Sequence, residues 1–279
     1  MNDPAHLGER MPAVGSLRFF LGGRDLEMET IATLLRETVG GDRVEDAGLG
    51  WGARASAYGE AIARALECGE TPVLVELEDD LPPHIDRAKL IIVDHHGDRA
   101  GRNQPSSLRQ VFGLLADEYG LNWTRAFELV EANDIGHVAE MKARGANDTE
   151  IRAIRQRDRR AQGVSEAEER EAARAIAARE HDGPLTIVRI PGNSASAVGD
   201  LILPELGGPG ADALLVVMPE EFAFFGPGNA VLALNGAFDG WYGGALPERG
   251  FWGCERKDDY PGEEAVRQTA IAALEARSD

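Results

Sequence analysis

The sequence predicts an α/β protein: a mostly parallel sheet with flanking helices, then a smaller C-terminal α/β domain, with a cleft between them. Three observations lead there. Short apolar runs alternate with amphipathic helical patterns through the first half, the pattern of strands joined by crossover helices. Charged helical sequence then interrupts the apolar pattern before strand-like segments resume. The length, 279 residues, exceeds the roughly 100–200 residues that one hydrophobic core commonly serves.

The first strand is LRFFL (17–21), followed by a helix over 26–38 whose apolar residues recur at helical spacing. An amphipathic helix over 54–68 ends at Gly69, a residue suited to closing a helix. PVLVEL (72–77) and KLIIVD (89–94) supply further strands, then come helices over 105–119 and 123–132, the latter leading into Asn133-Asp134. The segments 148–160 and 165–180 are charged helices, the second opened by a capping box of Ser165 and Glu168. They read as a solvated bridge, giving domains over 1–164 and 182–279 and a helical linker over 165–181. The second block carries strands at 185–190, 213–218, 222–226 and 230–236 and a helix over 195–204. A glycine-rich segment at 239–253 and a helix over 262–276 close the chain, and the two blocks are not copies of one repeat.

Net charge is −19, from 48 acidic and 29 basic residues. Such a field repels polyanions, which disfavours long nucleic acid as a partner and leaves small anionic substrates held through a metal. No stretch approaches the ~18 uncharged apolar residues of a membrane-crossing helix, so no membrane partner is expected. Residues 1–16 lack the basic and apolar regions of a secretory signal, and the expectation is a short lead-in and residence in the cytoplasm. Cys68 and Cys254 form no metal-binding or disulfide spacing. A homodimer is compatible with this composition.

Acidic and histidine residues gather where strands end. Asp25 and Glu27 follow the first strand, Glu76 and Glu78 end the next, and LIIV delivers Asp94, His95 and His96, while Asp134 ends a helix. In open parallel sheets the ligand crevice lies outside the carboxyl ends of the strands, so these side chains are placed to converge. Carboxylates and imidazoles together suit Mn²⁺ or Mg²⁺. Plainer readings stand beside this one. Asp25 and Glu27 are also the acids that a helix N-terminus favours, Glu76 to Asp80 can be a solvated acidic loop, and Asp94-His95-His96 can be a surface turn.

The strand with its terminal DHH tripeptide, the Pro105-Ser106-Ser107 helix start after it and Asp134 beyond resemble the DHH phosphoesterase superfamily. That superfamily includes RecJ-like exonucleases, nanoRNA and cyclic-dinucleotide hydrolases and family II pyrophosphatases. Asp25-Leu26-Glu27 stands where the family's first motif opens a helix, and Glu76 matches the carboxylate of the second. The resemblance implies one metal on Glu27, Glu76, His95 and Asp134 and a second on Asp25 and the shared Glu76. It implies that Asp94 orients the site and that His96 faces the scissile phosphate. The C-terminal half is similar to the family's DHHA1-like substrate-binding domain, which implies substrate contacts at Gly243, Gly244, Arg249 and Gly250. The chain departs from the pattern at the first motif, where Leu21 occupies the place of a histidine, and at positions 27 and 76, where Glu stands for Asp.

The function expected from these readings is hydrolysis of a phosphoester in a small nucleotide or short oligonucleotide, with one or two Mn²⁺ or Mg²⁺ ions. The alternative is a catalytically degenerate protein of the same fold that binds a nucleotide or a partner protein. The altered first motif favours the alternative, and intact Asp94, His95, His96 and Asp134 favour the enzyme.

Overall fold

A computed structural model describes residues 13–50, 52–96, 104–244, 246–257 and 260–276. The chain divides into two compact units at Asn147 and Asp148.

The first unit is built on four parallel strands, β1 (Leu17–Leu21), β2 (Val44–Glu45), β3 (Thr71–Val75) and β4 (Ile91–Val93), in the order β2-β1-β3-β4. Its helices are α1 (Leu26–Thr38), α2 (Gly59–Glu67), α3 (Ser107–Tyr119) and α4 (Arg125–Ala143). β1 and β3 are almost wholly apolar because both their faces are covered, and Phe19, Phe20, Val73 and Leu74 are fully buried. On one face Phe20 and Leu74 pack with Tyr58 and Ile62. The Tyr58 hydroxyl is satisfied by donating to the Leu21 carbonyl at 2.7 Å and accepting from the Ala47 N–H at 2.9 Å. From β1 the chain passes to β2 on one side, then returns to β3 on the other. The crevice outside the carboxyl ends of β1 and β3 is therefore the point where strand order reverses.

Most expected elements of this unit appear, with differences of extent. The helix expected over 54–68 opens as a 3-10 turn, Ala55–Tyr58, before α2, and Gly69 takes the left-handed conformation (φ 76°). The helix expected over 123–132 runs on as α4 to Ala143, through a break at Gly136 and His137.

The second unit holds a six-stranded sheet in the order β5-β6-β7-β8-β10-β9. Its strands are β5 (Glu180–Asp182), β6 (Leu185–Arg189), β7 (Leu214–Val217), β8 (Glu221–Pro227), β9 (Trp241–Gly243) and β10 (Arg249–Glu255). Only β6 and β7 pair in parallel. The helices are α5 (Asp148–Ala161), α6 (Glu166–Ala177), α7 (Ala195–Leu201), α8 (Gly228–Phe238) and α9 (Glu263–Glu275). Alternation along β8 sends Phe222 and Phe224 into a core with α8 and α9, and Ala223 and Phe225 into one with α6 and α7.

Two expectations are corrected here. The apolar run at 230–236, expected as a strand, is helical within α8, burying Ala230, Val231 and Leu234 while Leu232 is exposed. Its length and apolarity suit either element, and the period of the buried positions decides. The charged helices expected to form the end of the first domain and a solvated bridge belong by packing to the second unit. Their charge conceals a buried network: Arg155 and Arg159 reach Asp200 at 2.8 and 2.9 Å, and Arg155 also pairs with Asp158 at 2.6 Å. Among the described residues no helix is long and apolar enough to cross a membrane.

Candidate metal centre

Each candidate ligand is delivered by a different turn of backbone. Glu27 lies in the first turn of α1, immediately after β1. Glu76 follows β3 in a left-handed conformation (φ 50°) that is uncommon for any residue except glycine. Its N–H still donates to the Val93 carbonyl at 2.8 Å, so it remains tied to β4. The backbone passes so close here that a Cβ on Gly22 would stand 2.4 Å from the Glu76 carbonyl oxygen; only glycine fits. His95 and His96 follow β4, and Asp134 occupies α4 just before its break.

The side chains meet. His95 Nε2 lies 2.9 Å from Asp134 Oδ2, 3.2 Å from Glu76 Oε1 and 3.7 Å from Glu27 Oε2. All four atoms are buried, and among the described residues none has a hydrogen-bond partner. Glu27 is 2% exposed, and its other oxygen accepts the Leu108 N–H at 2.8 Å, at the N-terminus of α3. Buried polar atoms are nearly always satisfied. Here the unsatisfied ones fall into two groups that share His95, Glu27 with His95 and Asp134, and Glu76 with His95 and the exposed His96; within each group the candidate ligand atoms lie within 4.8 Å of one another. Three carboxylate oxygens and one imidazole nitrogen fit Mn²⁺ or Mg²⁺ in donor type and charge.

These groups act on one another's charges. Burial, with the neighbouring Asp134 and Glu76 carboxylates, pushes the Glu27 carboxyl well above its ordinary range. Burial has the same effect on Glu76, but the imidazoles of His95 and His96 outweigh it and hold that carboxyl low. Burial opposes a charged His95, yet Asp134 and Glu76 outweigh it and raise the imidazole from 6.5 to about 11.

His96 stands at the exposed edge, with 64% of its side chain accessible. Its Nδ1 is 3.6 Å from Asp94 Oδ1 and 3.7 Å from Glu76 Oε1. Asp94 Oδ1 also accepts the His96 N–H at 2.8 Å, so this aspartate sets the position of the ring and raises its basicity. Asp25 is the N-cap of α1, its Oδ1 accepting the Met28 N–H at 2.7 Å, and it joins neither constellation of ligand atoms. Leu21, expected from the resemblance to stand in place of a histidine, is buried at the end of β1. Of the acidic run after β3 only Glu76 takes part. Glu78 pairs with Arg54, Asp79 with Arg87, and Asp80 binds the Ser56 hydroxyl and N–H. The Leu108 donor was not foreseen from the sequence, although the Pro105-Ser106-Ser107 helix start marks the place.

The glycine-rich segment forms the antiparallel pair of β9 and β10. Gly243, Gly244 and Gly250 come together there: a Cβ on Gly250 would meet the Gly243 carbonyl at 2.3 Å, and one on Gly244 would meet the Gly250 Cα at 2.6 Å. Arg249 is exposed at the start of β10.

No family model and no curated protein matches this sequence. Similar solved structures include an exopolyphosphatase-related protein from Bacteroides fragilis, with 12% identity over 94% of this chain and 92% of that one, at a TM-score of 0.48. RecJ from Thermus thermophilus in complex with Mn²⁺ shares 14% identity at a TM-score of 0.49, over 94% of this chain and 52% of RecJ, so the chain spans about half of that protein. A pGpG-specific phosphodiesterase from Vibrio cholerae shares 11% identity over 92% of this chain and 99% of its own, at a TM-score of 0.39.

Proposed function

We propose that the chain is a divalent-metal-dependent phosphoesterase of the DHH superfamily, acting on a small nucleotide or short oligonucleotide. The observation that carries this reading is the gathering of Glu27 Oε2, Glu76 Oε1 and Asp134 Oδ2 around His95 Nε2, each within 3.7 Å of it, all four atoms buried and without hydrogen-bond partners among the described residues. They belong to the four residues that the resemblance assigns to one metal. A bound divalent ion would polarise a phosphoryl oxygen and lower the pKa of a coordinated water.

The protein's own part is positional and protonic. Glu27 is held by the Leu108 N–H, and Glu76 by the turn at its left-handed residue. His96, raised in basicity chiefly by Asp94, holds a proton at the exposed edge, where it would give it to the leaving ester oxygen as the P–O bond breaks. Gly243, Gly244 and Gly250 let β9 and β10 pack closely against each other, and the exposed Arg249 beside them supplies a guanidinium for a phosphate.

The buried Leu21 and the capping role of Asp25 favour a second reading, a nucleotide-binding protein without turnover. Both readings require metal binding, and turnover separates them. Mn²⁺-dependent hydrolysis of bis-p-nitrophenyl phosphate or a dinucleotide is the expected result, and His95→Ala should lose both the metal and the activity. Full turnover by His95→Ala would refute the site, and metal binding without turnover of any phosphoester would favour the second reading. Arg249→Ala is expected to raise KM more than it lowers kcat, and an unchanged KM would remove Arg249 from substrate binding.

A further inference from the structure

Behind the metal centre, in the same unit, lies a charge cluster that binds no candidate ligand directly. Glu131 is buried in α4, one helical turn before Asp134. Its Oε1 accepts from Arg109 Nε, and its Oε2 accepts from Arg109 Nη2 at 2.7 Å and from Arg144 Nη1 at 2.6 Å. The Ser106 hydroxyl that caps α3 lies 3.4 Å from Glu131 Oε1. Arg109 is fixed from its other side, with its guanidinium carbon 3.8 Å from the centre of the Trp123 ring, and Trp123 meets Phe112 edge-on at 5.0 Å.

The neighbours of this pair in sequence give it meaning. Leu108, adjacent to Arg109 in α3, donates its N–H to Glu27, and Asp134 reaches His95 from the helix that carries Glu131. A shift or rotation of α3 against α4 would move a donor to one ligand and the anchor of another together. Glu131 is buried but the Arg109 side chain is 41% exposed, and an ion pair open to solvent on one side adds little net stability, whereas a bidentate fork specifies distance and angle.

Resting on the metal-centre reading above, we infer that Arg109 and Glu131 are a positioning pair, which sets the register of α3 on α4 and thereby holds Glu27 and Asp134 at metal-binding geometry. The pair acts through Leu108 and the α4 backbone, not by ligation.

The test measures Mn²⁺ affinity by isothermal titration and the spectrum of bound Mn²⁺ by electron paramagnetic resonance. The full chain is compared with Arg109→Leu, Glu131→Gln, their double variant and the milder Arg109→Lys. Asp200→Asn, which damages the buried network of the second unit, controls for general loss of stability. Each single variant is expected to weaken Mn²⁺ binding on the order of tenfold and to broaden the bound spectrum. The double variant should be no weaker than the worse single, because the two residues act as one. Arg109→Lys, which keeps the charge and stem but loses the fork, should fall between, and it decides the matter if Glu131→Gln does not fold. Unchanged affinity and spectrum in the folded variants would overturn the inference, as would losses that add in the double variant or an equal loss in Asp200→Asn. A wild-type chain that binds no Mn²⁺ overturns the metal-centre reading, and this inference with it. Wild-type binding beside unaffected variants overturns this inference alone.

Discussion

At Glu27 the demands of folding and of ligation oppose each other. A buried carboxyl pushed up by burial and by two neighbouring acids is a cost to the metal-free protein and an asset once a cation arrives. Glu27→Gln keeps the shape and can still accept the Leu108 N–H, so it should raise the melting temperature of the metal-free chain while weakening Mn²⁺ binding by more than tenfold. A lower melting temperature with unchanged Mn²⁺ affinity would contradict the assignment. His95 adds a dependence on pH. Its imidazole is raised from 6.5 to about 11, so its contribution to metal-free stability is fully present below the unfolded value and is lost as pH rises through about 11. Ligation requires the neutral ring, so Mn²⁺ uptake at neutral pH should release protons, and affinity should rise with pH. Titrations in buffers of different ionisation enthalpy check this, and a proton count of zero would contradict it. The candidate ligands could be picked out in the sequence because each follows a strand or ends a helix pattern. The left-handed turn at Glu76 could not, because a residue other than glycine gives no local signal of that conformation, and the close pass of Gly22 beside it is a contact between stretches distant in sequence.

Among the elements, the β1 and β3 termini and the break in α4 position the ligands. Gly22→Ala places a methyl group against the Glu76 carbonyl, and backbone atoms cannot give way cheaply. It should cost about 1–3 kcal/mol by overpacking and lower Mn²⁺ affinity as Glu76 moves. A variant as stable and as avid for metal as wild type would show that the close pass has no role. At Gly136 a Cβ would stand 2.6 Å from Glu140 Cβ, so the turn after Asp134 also depends on glycine. Strands β1, β3 and β4 and helix α1 were legible because their apolar periods are clear and their boundaries carry acids or glycine. β2 was missed because Val44 and Glu45 are too few to show a period, and they are strand only through pairing with Phe19 and Phe20. The α8 error has the opposite cause: a run apolar on nearly every side shows no period until the burial of Val231 and Leu234 is seen.

On the scale of the whole molecule, each unit closes its own core, and the cluster at Glu131 lies in the first while the buried network at Asp200 lies in the second. Asp200→Asn removes the negative partner of Arg155 and Arg159 inside the second unit. Leaving buried guanidiniums underpaired should cost roughly 3–5 kcal/mol. Hydrogen exchange should then accelerate across 148–279, with Mn²⁺ affinity unchanged; protection lost equally in both units would contradict their independence. The two-domain division was visible in the alternation of patterns, but its position was not, because α5 looks like a solvent-facing helix until its partners in the fold are known. The spread of the ligands along the chain also bears on how the protein is made. Glu27, Glu76, His95 and Asp134 come from four separate stretches, and β1 must find β3 with β2 and α2 looped out between them. During synthesis no partial chain that stops before α4 holds the full set, so an ion cannot nucleate this unit as zinc nucleates a finger. On the proposed reading a cation would join a finished fold: refolding should proceed at the same rate in chelator as in manganese, and newly made protein should pass through a folded, metal-free stage before it becomes competent.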